Sequence, residues 1–79
     1  MSEAPQRVVK RSLSISGHRT SVSLEEIFWT ELRALAEKRA QSVAALVAEI
    51  DAARGEANLS SALRVFVLQQ AKAAAGGLR

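Results

Sequence analysis

Arg19-Thr20-Ser21-Val22-Ser23-Leu24-Glu25-Glu26 changes its periodicity partway along. From Arg19 to Leu24 polar and apolar residues alternate, the pattern of a half-buried strand. Thr20, Val22 and Leu24 share one face of that strand, and Arg19, Ser21 and Ser23 share the other. At Ser23 the period changes. Ser23 with Glu26 three residues on fits a capping box, and Val22 and Ile27 stand at the staple positions around it. Two glutamates in the first turn also suit the positive end of a helix dipole. The stretch predicts a strand feeding directly into a helix.

Upstream, Ser12-Leu13-Ser14-Ile15-Ser16 alternates in the same way. Gly17-His18 lies between the two alternating runs and suits a two-residue turn. Folding there would set Ser16 opposite Arg19 and Leu13 opposite Val22. Such a hairpin is allowed but not required. Met1 to Arg7 is polar and holds the single proline, so residues 1–10 are expected to form a flexible basic arm.

Downstream, Phe28, Leu32, Leu35 and Arg39 recur at helical spacing, with Trp29 and Ala36 on the flanks. A first helix is expected from about 24 to 39. Ser42 is the next N-cap, and Val43, Leu46, Val47 and Ile50 give a second helix over about 43–53. Gly55 reads as its C-cap. Asn58 or Ser60 starts a third helix with Leu59, Leu63, Phe66, Val67 and Gln70 on one stripe, fraying at Gly76-Gly77. The expected organisation is an arm over 1–10, a strand-helix-helix domain over 11–55 and a C-terminal helix and tail over 56–79. The class is α+β, mostly helical.

At 79 residues the chain is one domain, and a lone copy would bury only about 60% of its unfolded surface. There is no cysteine, hence no disulfide, thiolate or zinc finger. Association with a second copy is then the simplest way to complete a core. A single exposed strand invites this, because its unpaired edges can accept a second copy about a twofold axis. Val22, Leu24, Phe28, Leu32, Leu35, Leu46 and Ile50 are the expected core of that dimer.

Catalysis finds no support in these residues. His18 is the sole histidine and sits by a turn, so no metal set can form within one chain. No phosphate-binding glycine loop, nucleophile elbow or calcium loop occurs. Glu25 and Glu26 project about 100° apart on a helix and do not face each other. Neither enzymatic activity nor a cofactor or metal is expected. No apolar run is long enough to span a bilayer and no apolar leader precedes the strand, which points to the cytoplasm.

Charge is distributed unevenly. Residues 1–23 carry Arg7, Lys10, Arg11 and Arg19 against Glu3, whereas residues 24–58 are net acidic. A basic N-terminal third is a footprint for an anionic partner. A two-stranded ribbon fits the major groove of duplex DNA, about 12 Å wide, with Arg19, Ser21 and Ser23 facing the bases. Lys10, Arg11 and Arg7 would lie near phosphates. The free amides at Ser42 and Val43, at a helix N-terminus, would form a further phosphate site.

Arg19 to Ile50 (RTSVSLEEIFWTELRALAEKRAQSVAALVAEI) resembles the ribbon-helix-helix DNA-binding proteins of the Arc and MetJ repressor type. More closely, Ser16 to Glu25, with Phe28-Trp29 and Asn58-Leu59-Ser60-Ser61-Ala62-Leu63-Arg64-Val65, is similar to short bacterial ribbon-helix-helix proteins with an extra C-terminal helix. The resemblance covers about 16–68. It implies an intertwined homodimer, an intermolecular ribbon in the major groove and a role in transcription regulation. It also implies base contacts from Arg19, Ser21 and Ser23, and a backbone phosphate clamp at Ser42 and Val43. Two features depart from the general pattern. Ala40-Gln41 stands where a glycine is common, and two outward positions are small serines, which suits modest direct readout. The alternative function is an antitoxin or interaction module whose C-terminal helix, apolar on several sides at Val65-Phe66-Val67-Leu68, takes a protein partner.

Overall fold

A computed structural model describes residues 4–76. Two antiparallel strands, β1 (Val8–Ile15) and β2 (His18–Glu25), form a hairpin. Three helices follow: α1 (Glu26–Lys38), α2 (Val43–Ala53) and α3 (Leu59–Gly76). The fold is α+β and mostly helical, as expected. Residues 1–3 of the expected arm and 77–79 of the expected tail lie outside the described residues.

The hairpin turns at Ser16-Gly17, one residue earlier than expected. Both turn residues have positive φ, 52° and 82°, as a type I′ turn requires. Glycine takes that conformation freely, and Ser16 accepts it at a cost. Leu13 therefore pairs with Thr20, and Val22 pairs with Arg11. The pairing moves by two residues relative to the expected one. Because side chains alternate with period two, the faces survive this shift. Val9, Leu13 and Ile15 lie under the sheet with Val22 and Leu24.

The strand also begins earlier than the expected arm allows. Val8, Val9 and Lys10 pair with Glu25, Leu24 and Ser23. Before them, the Arg7 N–H donates to the Ala4 carbonyl at 3.0 Å, closing a turn around Pro5-Gln6. This turn serves α1. The Glu26 N–H donates to Arg7 O at 2.7 Å and the Ile27 N–H to Pro5 O at 3.0 Å. Two amides of the first helical turn, which have no partner inside a helix, are satisfied this way. The capping box expected at Ser23 is consequently absent. Ser23 remains in β2, the N-cap is Glu25, whose side chain does not cap the helix amides, and Ile27 is half-exposed rather than stapled to Val22.

The other helix ends follow the sequence. The Ser42 hydroxyl accepts from the Ala45 N–H at 3.0 Å, and Asn58 Oδ1 accepts from the Ser61 N–H at 3.2 Å. Gly55 has φ 63° just past α2. Between α1 and α2, Gln41 N–H bonds Ala36 O and Ala40 N–H bonds Glu37 O, the two bonds of a Schellman motif. Its left-handed position is filled by Ala40 at φ 55°, so the missing glycine leaves strain.

The core lies between the inner sheet face and all three helices. Leu24, Leu32, Leu46, Val47 and Leu63 are fully buried, with Trp29 almost so. Trp29, on the flank of the α1 stripe and at a spacing that suits core better than base stacking, stands near the centre. Its indole N–H donates to the Val9 carbonyl at 2.9 Å and so ties α1 to β1. Of the residues expected between two subunits, Val22, Leu24, Leu32, Leu46 and Ile50 are buried within one chain. Phe28 and Leu35 are half-buried against them. A single chain thus closes this core, with α3 contributing Leu63 and Val67.

Candidate nucleic-acid interface

The outer face of the hairpin is built by alternation alone. Val8, Lys10, Ser12 and Ser14 project from β1, opposite Glu25, Ser23, Ser21 and Arg19 of β2. All but Glu25 are exposed. Serines fill the middle of this face. They are short, so the backbone itself stands close to whatever meets it. Lys10 and Arg19 put a positive charge near each end.

Glu25, the one acid on this face, is drawn away by α3. Arg64 Nε is 3.0 Å from Glu25 Oε1, and its second nitrogen is 3.5 Å from Oε2. These hydrogen bonds, and then the residue's own backbone N–H, hold the Glu25 carboxyl below its ordinary value of 4.5. The guanidinium also lies 6.0 Å from the Phe28 ring centroid. The acid next to the basic face is thus charge-compensated.

The expected site residues separate in space. Arg19, Ser21 and Ser23 share the outer face, and Ser23 is not tied up in capping α1. Lys10 joins them there, as do Ser12 and Ser14, which were not expected as site residues. The alternation in Ser12 to Ser16 carried that signal, but it needed the pairing of β1 to place it. Arg11, expected at a phosphate, belongs to the opposite face. Its guanidinium lies 5.5 Å from the Trp29 ring centroid and 4.0 Å from Glu26 Oε1. Arg33 approaches the same carboxylate at 3.6 Å. Odd positions of β1 point inward, so Arg11 extends along the core edge to reach its charge partner.

At the start of α2, the Ser42 hydroxyl is engaged as the cap. The first turn carries no acid, so the helix dipole there is not neutralised by its own side chains. His18 is exposed beside the turn. Among the described residues, no group of three or more His, Asp or Glu side chains converges as a metal site.

Residues 8–71 match the ribbon-helix-helix domain family. The chain belongs to that family. Ribbon-helix-helix domains are in general DNA-binding modules of regulators and antitoxins. A solved structure of an uncharacterized protein from Bordetella pertussis Tohama I is similar to this chain. The two share 37% sequence identity and superpose with a TM-score of 0.81 over 92% of this chain. The chain spans 62% of the length of that protein. No significant match occurs among curated proteins. Within the described residues of this ribbon-helix-helix chain, no helix is long and apolar enough to cross a membrane.

Proposed function

We propose that this ribbon-helix-helix protein is a cytoplasmic transcriptional regulator that binds duplex DNA with sequence preference, as a homodimer. Its outer hairpin face enters the major groove. The observation that carries this reading is the outward set Lys10, Ser12, Ser14, Arg19, Ser21 and Ser23 on one antiparallel ribbon. Two strands about 4.8 Å apart fit a groove about 12 Å wide. Arg19 can pair bidentately with a guanine, while Ser21 and Ser23 donate or accept with less discrimination. Lys10 adds phosphate attraction, and the amides at Ser42 and Val43 offer a phosphate site at a helix N-terminus. With such small side chains, DNA shape supplies much of the preference.

Fluorescence anisotropy on a random duplex, titrated at ~50 and ~200 mM salt, tests the reading. Several phosphate contacts per dimer would weaken binding by ~10³-fold or more between these conditions. Absence of binding at the lower salt would overturn it.

One observation favours a second reading, a protein-interaction module such as an antitoxin. Val65 and Leu68 on α3 and Ile27 on α1 are each about half exposed. With Phe28 and Ala71 they line an apolar groove of about 310 Å³. Leu68→Asp should leave the fold and DNA binding intact and abolish capture of a co-expressed toxin, if that reading holds.

A further inference from the structure

Away from the hairpin, a groove of about 420 Å³ opens between α2 and α3. Ile50 and Ala53 of α2 line one side, and Ala62, Val65 and Phe66 of α3 line the other. The alanines leave space between the two helices that larger side chains would fill. Val65 is about half exposed there, so apolar surface stands open to solvent. The walls are apolar, but charged side chains stand at the rim.

One of these, Arg54, is already engaged. Its Nε lies 2.6 Å from Asp51 Oδ1, and a second nitrogen donates to the Ala57 carbonyl. Arg39, the C-cap of α1, is not. Its guanidinium lies over the Phe66 ring, 5.5 Å from the centroid. A guanidinium placed over a ring uses its face, which leaves the in-plane N–H groups free to donate. Among the described residues, no carboxylate or other acceptor meets them. Glu49 is the opposite case. One of its oxygens accepts from the Gln41 side-chain amide, the other is free, and no cation pairs with it among the described residues. Arg39 and Glu49 thus line one groove with opposite charges and form no ion pair with each other.

We propose that this groove binds a small apolar α-amino acid as the zwitterion. Arg39 takes the carboxylate with its free N–H groups, in the paired geometry that a guanidinium offers. The free oxygen of Glu49 takes the ammonium. The ligand's side chain lies against Ile50, Val65 and Phe66 and removes apolar surface from water. A plain carboxylate would satisfy Arg39 and leave Glu49 unmet, while a plain amine would do the reverse. A molecule carrying both charges beside an apolar group satisfies both. The volume lies at the small end of ligand sites, which suits a side chain the size of leucine or phenylalanine. None of these residues belongs to the outer face of the hairpin, so the site stands independently of DNA binding.

The test titrates the full chain with L-phenylalanine through the millimolar range. Amide chemical shifts of Ile50, Ala62, Val65 and Phe66, followed by NMR, should move and saturate. The thermal unfolding midpoint should rise with concentration. Phenylpropionate lacks the ammonium and phenethylamine lacks the carboxylate, so each should bind ~10-fold more weakly or worse. Arg39 and Glu49 are both exposed, so their variants should keep the fold. Arg39→Gln should weaken L-phenylalanine by ~10-fold or more and leave phenethylamine unaffected. Glu49→Gln should weaken L-phenylalanine similarly and leave phenylpropionate unaffected. Ala53→Phe, at an exposed position of the wall, should fill the groove and abolish the shifts. Absence of these shifts in the wild type overturns the proposal, the result expected if a second copy covers the groove. Equal binding of the three compounds overturns it too, since the groove would then select apolar bulk alone. Wild-type affinity for L-phenylalanine in either charge variant does the same.

Discussion

Ser23 and Leu24 are neighbours on one strand and belong to different worlds. Leu24 is fully buried against the helices, while the Ser23 side chain stands in solvent on the candidate DNA face. The same contrast repeats at Ser21 with Val22, and at Ser12 with Leu13. One face of the hairpin sets stability and the other is available for recognition. A two-residue period makes this division possible, because substitutions on one side leave the other side's geometry unchanged. Substitutions on each face, and at the contacts that hold the hairpin to the helices, put the division to the test.

The largest effect is expected from the inner face. Leu24→Ala should destabilise the protein by about 2–5 kcal/mol, as cavity-forming core changes do. Ser23→Ala beside it should stay within about 0.5 kcal/mol. Urea denaturation of both variants measures the difference, and similar losses would mean that the faces are not separated. Next comes the outer face in its proposed role. Arg19→Ala should cost about 1–3 kcal/mol of affinity at a selected operator, roughly 5- to 150-fold, with an unchanged unfolding midpoint. Unchanged affinity would remove Arg19 from the reading face.

Trp29→Phe keeps most of the ring volume and deletes the N–H that reaches Val9. The expected loss is about 1 kcal/mol. A wild-type midpoint would show that the indole bond does not brace the hairpin against α1. Ala40→Gly acts in the opposite direction. Relief of a left-handed alanine, offset by the greater freedom of an unfolded glycine, should stabilise by about 0.5–1 kcal/mol. The smallest effect belongs to Glu25. Folding lowers its pKa below 4.5, so its contribution is complete above that pH and is lost as pH falls through the lower folded value. Glu25→Gln should narrow the stability difference between neutral and acidic solution. An acid profile identical to wild type would show that the Arg64 contact has no weight.

Much of this architecture was legible at the level of residue pattern. The faces of β2 followed from Thr20, Val22 and Leu24, the second helix began where Ser42 predicted, and the third began at Asn58, one of the two caps the pattern allowed. Local chemistry determined each of these, through alternation or a side chain two or three residues from the amide it caps. The misplacements were non-local. Ser23 looked like a helix cap because its nearest glutamate fits. The actual satisfiers of α1, the carbonyls of Pro5 and Arg7, come from about twenty residues upstream. Arg11 looked like a phosphate ligand because it sits in a basic run. Its place over Trp29 depends on β1 pairing with β2, which puts odd positions inward.

Residue order alone settled which side chains can share a face, since that depends only on the period of the backbone. It also showed that a strand runs straight into a helix, although the pattern put the N-cap at Ser23 and packing put it at Glu25. Three-dimensional packing selected the strand that β2 takes as its partner. Packing also closed the core of one chain around Trp29, and it set α3 against the β2 edge of the sheet. These outcomes depend on contacts between residues far apart in the chain, whose free energies no local pattern encodes. The outer face of the hairpin carries both contributions: alternation selected its residues, and the pairing of two strands assembled them into one surface.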